Sequence, residues 1–424
     1  METIERLESE VRSYCRSFPA VFERGKGSHM YDENGGEYLD FFSGAGALNY
    51  GRNNDRLKRK LLEYIQDDGV VHGLDMATSA KEAFLEKFDE VILRPRGMSY
   101  KIQFPGPTGT NSVESALKLA RKITQRHKIL SFTNAFHGMT LGSLAISGNM
   151  VKRDGAGVVL THGVRMPYCG YFGEDVNTIE YIDQFLSDDG SGVDLPAAVV
   201  VETIQAEGGV NVGEFDWLRE LEKLCRKYDM LLILDEIQTG CGRTGPFFSF
   251  EPAGIDPDII CLSKSISGYG LPMALTLIKP DLDQWKPGEH NGTFRGNNMA
   301  FVTATEALRY WETDDFQYET ERKGRKLRKM LEDLATQWPD AAVEVRGRGL
   351  LQGIQFTPET LASEISREAF EKGLIAETSG SDSAVLKLIP ALTISDEELE
   401  AGVEIIREAV LHVMSERTSS AVVR

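Results

Sequence analysis

The chain lacks a cysteine framework, an excess of positive charge, a long apolar run and any repetitive or low-complexity segment. Its five cysteines, Cys15, Cys169, Cys225, Cys241 and Cys261, are scattered, odd in number and never spaced C-x-x-C. That pattern argues against disulfides or structural zinc and for buried free thiols; no metal site is expected. With 65 acidic against 47 basic residues the net charge is -18, so the electrostatic footprint of a nucleic-acid or anionic-membrane protein is missing. No run approaches the roughly 18 apolar residues of a membrane span, and the opening METIERLESEVRSY has no basic segment followed by an apolar one. A cytoplasmic enzyme, with no nucleic-acid and no membrane partner, is the expectation.

What is present is ordinary for a globular protein: 41% hydrophobic and 26% charged residues. A length of 424 residues favours two or three domains. Short apolar runs recur through the middle, at 101–104, 128–132, 197–201, 230–234, 258–262 and 273–278, and they predict a buried, mostly parallel sheet. Amphipathic stretches such as SVESALKLARKITQR separate them, which is the α/β alternation. The two ends differ. HMYDENGGEYLDFF and AAVEVRGRGLLQGIQF read as hairpins around glycine turns, with helices at roughly 361–372 and 395–415. The expected organisation is a large domain over 59–314 and a smaller α+β domain built from 1–58 and 315–424, with the tail SERTSSAVVR mobile.

Three features carry chemistry. In FPGPTGTNSVESALKLAR, turn formers lead into an amphipathic helix whose mouth offers backbone N–H groups and a positive dipole end suited to a phosphate; a plain capped helix is the alternative. In LLILDEIQTGCGRTG, Asp235 follows an apolar strand directly, at the sheet edge where open α/β sheets bind ligands; a turn aspartate is the bland reading. In DIICLSKSISGYG, Lys264 ends the next strand-like run, and a partly desolvated lysine there can lose its proton and attack a carbonyl. Phosphate grip, carboxylate for a cationic ring nitrogen and amine for an aldehyde together match the needs of pyridoxal 5'-phosphate.

The chain resembles the class III, or omega, aminotransferases of fold type I. The motifs TGTNSVESALKLAR, AFHGMTLGSLA, VVVETIQAEGGV, LILDEIQTGCGRTG, DIICLSKSISGYGLP, GTFRGNN and RGRGLLQGIQF stand in family order over nearly the whole length. Within that family FFSGAGALNYGRNN, FPGPTGTN, CGRTGPFFSFE and WKPGEHNGTFRGNNMAF resemble the diaminobutyrate-forming branch, especially that of ectoine synthesis. The resemblance implies a homodimer or homotetramer with active sites at the subunit interface, acting on L-glutamate and L-aspartate 4-semialdehyde. It makes Lys264 the cofactor-bonding lysine, Asp235 the partner of the pyridine nitrogen and Gln238 the contact to the ring hydroxyl. Gly109 and Thr110 would give backbone donors to the phosphate, Phe136 would stack on the ring, and Thr293 would reach the phosphate of the neighbouring subunit's cofactor.

Many relatives pair a glutamate with an arginine that is masked when no alpha-carboxylate needs binding. Here Glu207 matches the glutamate and Lys387 stands at the arginine position, keeping charge but losing the two-pronged grip. Met139 replaces an arginine of ornithine-type relatives, which leaves Arg295 as the candidate for the distal carboxylate or, equally, as a bridge to the partner subunit or the phosphate. Ala45 stands where ornithine-specific relatives carry tyrosine, and Glu202 reads as structural or as a support to the ring. The competing readings are another omega-aminotransferase, ornithine-like or 4-aminobutyrate-like; an aminomutase or racemase on the same scaffold; and a binding protein without catalysis.

Overall fold

A computed structural model describes residues 1–422, with side chains through residue 418. Its centre is a seven-stranded sheet in the spatial order Lys101–Gln103, Leu275–Ile278, Ile259–Leu262, Leu231–Asp235, Ala198–Val201, Ile129–Phe132, Gly163–Met166. Only Leu275–Ile278 runs against its two neighbours; the remaining pairings are parallel. Ile129–Phe132, Ala198–Val201, Ile259–Leu262 and Leu275–Ile278 are buried at every position, because helices cover both faces. Continuous apolar runs rather than alternation are the sequence form of that arrangement. All six expected strands are present. The seventh, Gly163–Met166, is a half-buried edge strand; Arg165 within it donates to the Ala145 carbonyl at 2.6 Å. A polar edge strand lacks the apolar run by which its neighbours are recognised.

Two smaller sheets flank the large one. Phe22–Lys26, His29–Asp32 and Glu37–Asp40 form antiparallel hairpins, and Leu374–Ile375 from the far end of the chain adds a parallel fourth strand beside Glu37–Asp40. Ala342–Arg348, Leu351–Phe356, Val385–Leu388 and Glu377–Ser379 make an antiparallel sheet in that order. One apolar core holds Leu39 and Phe41 together with Leu327, Ile354, Leu386 and Val403, so the two chain ends are packed as one body.

The C-terminal helix differs from expectation. It runs over Asp396–Val422 rather than ending near 415; the last two residues of the SERTSSAVVR stretch lie outside the described residues. Arg417 docks this end, donating from Nε to Glu364 Oε2 at 2.8 Å and from Nη2 to Glu364 Oε1 at 2.6 Å. A two-pronged ion pair supplies what apolar burial does not. Among the described residues no helix is long and apolar enough to cross a membrane.

Candidate active site

The neighbouring strands Leu231–Asp235 and Ile259–Leu262 set the site. Their parallel register places Asp235 opposite Cys261, and the chain reaches Lys264 only three residues later. Both side chains therefore leave the same carboxyl edge of the sheet. Lys264 itself has φ of 50°, a left-handed conformation that a non-glycine residue adopts only when its surroundings impose it. The serines on either side impose it. Ser263 Oγ donates to the Met273 carbonyl at 2.9 Å, and Ser265 Oγ donates to the Gly46 carbonyl at 2.8 Å.

Asp235 and Lys264 line one cavity of about 180 Å³, together with Gly109, Thr110, Phe136 and Gln238. Asp235 is buried; its Oδ2 lies 2.7 Å from His137 Nδ1 and its Oδ1 accepts from the Ile237 N–H at 3.1 Å. These contacts fix the position of the carboxylate in the cavity wall. Glu202 lies beside them, accepting from the Phe136 N–H at 3.1 Å, and burial with the Asp235 charge raises its pKa well above the carboxylate range. Although His137, Glu202 and Asp235 bring possible ligand atoms within 4.8 Å of one another, the His137–Asp235 hydrogen bond already engages that corner.

The helix Gly109–Thr124 points its first turn at the cavity and is closed by a reciprocal cap between Thr108 and Asn111. The hydroxyl of Thr110 is committed, 2.7 Å from Thr140 Oγ1 and 2.9 Å from Ser143 Oγ, which leaves first-turn backbone N–H groups to face the cavity. Gly138 completes this wall at φ of 127°; a Cβ there would fall 2.3 Å from Thr110 Oγ1. Only glycine lets the Phe136–His137 segment approach so closely.

Glu207 enters from the turn between the short strands Ile204–Gln205 and Asn211–Val212. Behind it sits Lys387, wholly buried, with Nζ 2.6 Å from Glu207 Oε1 and 2.8 Å from Glu377 Oε1. Glu377 and Lys387 are cross-strand partners in the C-terminal sheet. Burial works to lower the lysine, but the two carboxylates win and raise its pKa above the ordinary value. Glu207 is depressed to about 2, burial opposing the charges of Lys387 and Lys264. Burial raises Glu377.

The expected site residues thus divide. Lys264, Asp235, Gln238, Gly109, Thr110, Phe136 and Glu207 share the cavity wall; Lys387 stands behind it. Thr293 is exposed and Arg295 half-buried on a loop outside the cavity, where Arg295 Nη1 donates to Asn291 Oδ1 at 3.3 Å. Glu377 and Thr239 were not singled out from sequence. A three-residue strand ETS gives no signal for Glu377, whereas His137 stands in the motif AFHGMTLGSLA with no local sign of its partner.

The family model described as aminotransferase class-III matches residues 12–410. The chain belongs to the class-III aminotransferase family. The diaminobutyrate–2-oxoglutarate transaminase of Halalkalibacterium halodurans is 58% identical over 97% of this chain and 96% of its own length. The enzyme of that name from Bordetella parapertussis is 59% identical over 99% and 97%. Among solved structures, the ornithine aminotransferase of Toxoplasma gondii superposes with a TM-score of 0.85 at 28% identity, covering 98% of this chain and 94% of that one. The fold is that of fold type I, and enzymes of this family depend on pyridoxal 5'-phosphate.

The residues present fit that cofactor. Lys264 Nζ makes no hydrogen bond or ion pair among the described residues, and burial lowers its pKa, with Lys387 adding to the effect and Glu207 opposing it. Gln238 donates from Nε2 to the Ala45 carbonyl at 2.7 Å, while its buried Oε1, like Thr239 Oγ1, has no partner among the described residues. A class-III aminotransferase would fill these open positions with the cofactor's aldehyde, ring hydroxyl and phosphate.

Directly behind Asp235, the fully buried Glu236 accepts from the Ser249 N–H at 2.8 Å, and burial pushes its carboxyl up to about 8. A carboxyl raised on folding holds a proton that the unfolded chain has released, so its contribution to stability is full below about 4.5 and is lost as pH rises toward about 8. Glu207 has the opposite sign: its contribution is present above about 4.5 and lost as pH falls toward about 2. Glu236→Gln, which cannot ionise, should flatten the loss of stability between pH 5 and 8 in denaturant titrations; an unchanged pH slope would show that Glu236 does not hold its proton there.

Proposed function

We propose that this aminotransferase moves the amino group of L-glutamate to L-aspartate 4-semialdehyde, giving 2-oxoglutarate and L-2,4-diaminobutyrate for ectoine synthesis in the cytoplasm. The observation that carries the chemistry is the unbonded Lys264 amine facing Asp235 across one cavity. Full-length identity of 58% and 59% to diaminobutyrate–2-oxoglutarate transaminases supports the choice of substrates.

When bound, pyridoxal 5'-phosphate supplies an aldehyde to hold the travelling amino group and a ring to take up electrons from the substrate carbon. Lys264 would hold that aldehyde, and its amine of lowered pKa is suited to accept a proton from the substrate carbon and return it. Asp235, oriented by His137, would pair with the protonated ring nitrogen. Gln238 Oε1 would accept from the ring hydroxyl, the first turn at Gly109 and Thr110 would hold the phosphate, and Phe136 would cover the ring. Glu207 masks Lys387 and moves aside for the alpha-carboxylate of glutamate, which aspartate semialdehyde does not carry on its reacting carbon.

The boundaries 1–58, 59–314 and 315–424 remain the domain division we propose, with the site between large and small parts. We also propose that the active unit is at least a dimer, in which Thr293 and Arg295 serve the neighbouring copy. Val70, Val71, Leu74 and Met76 are exposed, and His72 contacts the exposed Phe294 ring at 5.3 Å. An apolar surface of this kind beside Thr293 suits burial against a second chain.

The purified enzyme should turn yellow with cofactor and convert glutamate to 2-oxoglutarate in a half-reaction, then regain its spectrum with aspartate semialdehyde; Lys264→Ala should abolish both. Near wild-type turnover in that variant would sink the assignment. Removing the lysine from between two buried carboxylates should cost about 3–5 kcal/mol of stability, so Lys387→Ala is best read in the protein that remains folded. There it should slow the glutamate half-reaction more than the semialdehyde one, and equal losses would remove its switching role. Sedimentation at micromolar concentration should give at least twice the chain mass; a monomer that transaminates would overturn the dimer proposal.

A further inference from the structure

The reading above leaves one charge unaccounted for. Among the described residues, the cavity wall carries three acidic side chains, Glu202, Glu207 and Asp235, and a single cation, Lys264, which the cofactor occupies. Lys387, wholly buried and held by Glu207 and Glu377, is already assigned to the alpha-carboxylate and leaves the other carboxylate without a cation. Yet the proposed substrates share a feature that demands a cation. In glutamate, the side-chain carboxylate carbon is three carbons from the carbon that bears the travelling amine. In aspartate semialdehyde, the carboxylate carbon is again three carbons from the reacting aldehyde. One cation at one distance from the reacting carbon would serve both half-reactions.

Lys152 meets that requirement. It lies on the short helix Met150–Asp154, whose start is held by Asn149 Oδ1 accepting from the Lys152 N–H at 3.0 Å. Its Nζ sits 4.1 Å from the centroid of the Phe136 ring, and that ring lines the cavity. Apart from this ring contact, Lys152 Nζ has no hydrogen-bond acceptor and no carboxylate among the described residues. The neighbouring cations are committed: Arg153 Nη1 donates to the Leu144 carbonyl at 3.2 Å and the Ser147 carbonyl at 3.1 Å, and Arg165 Nη2 donates to the Ala145 carbonyl at 2.6 Å. Lys152 also contributes to the lowering of Glu207, which puts its charge within electrostatic reach of that cavity-lining carboxylate. A half-exposed ammonium resting on an aromatic face is held weakly, whereas a charge-assisted bond to carboxylate is stronger and directional. The Phe136 ring is a resting place from which a flexible lysine can swing to an incoming anion.

We propose that Lys152 is the cation that binds the carboxylate lying three carbons from the reacting carbon, in both half-reactions. Lys152 thereby sets substrate length, and Phe136 links cofactor stacking to the position of that cation. The inference rests on the proposed pair of substrates, and it moves the distal-carboxylate role from Arg295, on a loop outside this chain's cavity, to a residue at the cavity's own aromatic wall.

The test uses cofactor-loaded wild type, Lys152→Ala, Lys152→Arg and Arg295→Ala in single-turnover half-reactions. Lys152→Ala should raise the half-saturating concentration of both glutamate and aspartate semialdehyde by about tenfold or more, the loss of one charge-assisted bond. It should leave 2-aminobutyrate and butanal, which lack that carboxylate, unchanged, and Lys152→Arg should restore most of the difference. Calorimetry with glutarate, a dicarboxylate that cannot react, should show the same weakening in Lys152→Ala. Equal changes for all four reactants, or a selective loss in Arg295→Ala instead, overturns the assignment. If wild type fails to turn over glutamate, the proposed reaction fails separately, and glutarate binding still decides Lys152: weakened binding in Lys152→Ala supports it and unchanged binding overturns it.

Discussion

Everything at the site depends on the pairing of two buried parallel strands, Leu231–Asp235 and Ile259–Leu262. Neither strand offers a polar side chain until its end, so the pair is held by apolar burial on both faces, at about 1.5–3 kcal/mol for each fully buried Leu or Ile. Leu232, Ile233, Leu234, Ile259, Ile260 and Leu262 are all buried. That sum outweighs the cost of carrying a carboxylate into the interior at Asp235 and a left-handed lysine just beyond the neighbouring strand. The register has no freedom either: a slip of one residue would turn Asp235 toward the opposite face. Apolar packing thus fixes the separation of two groups that would otherwise neutralise each other by direct contact.

Charge is distributed around the cavity by the same economy. Of its three acidic groups, burial raises the pKa of Glu202; Asp235 is hydrogen-bonded by His137 and the Ile237 N–H; and Glu207 is bound to a lysine supplied by a different sheet. Glu377 changes the meaning of that last pair. With two carboxylates on one lysine, moving Glu207 aside does not strand a buried cation, because its cross-strand neighbour still pairs it. An arginine with a single glutamate partner would present its whole fork once unmasked, while Lys387 remains half-neutralised. The hairpin that carries Glu207 is tied to the same strand as Glu377, through Ser379 Oγ donating to the Ala206 carbonyl at 2.6 Å. Displacement of Glu207 is therefore felt by the C-terminal sheet directly.

Much of this was legible in the sequence, and what was not has a physical reason. Continuous apolar runs mark strands buried on both faces, so six of seven central strands could be read, and Asp235 and Lys264 were visible because each breaks such a run at its end. The edge strand Gly163–Met166 was hidden because an edge can afford Arg165. The last turns of the C-terminal helix were hidden because an ion pair, Arg417 with Glu364, rather than an apolar face docks them. His137 could be seen as a residue but not as a partner: its hydrogen bond joins positions 98 apart. Glu377 left no trace at all, since a cross-strand pair depends on register, which local composition does not encode.

Lys152 belongs with these long-range placements. In sequence it is one cation in NMVKRD, indistinguishable from Arg153 beside it. The structure separates them by what each already holds: Arg153 satisfies carbonyls left open by the preceding turn, while Lys152 has only an aromatic face. A binding group must be available as well as charged, and availability is a property of the fold. For the same reason Lys387, wholly buried and paired with two carboxylates, can meet a carboxylate only when Glu207 moves aside, whereas Lys152 stands with its charge already available.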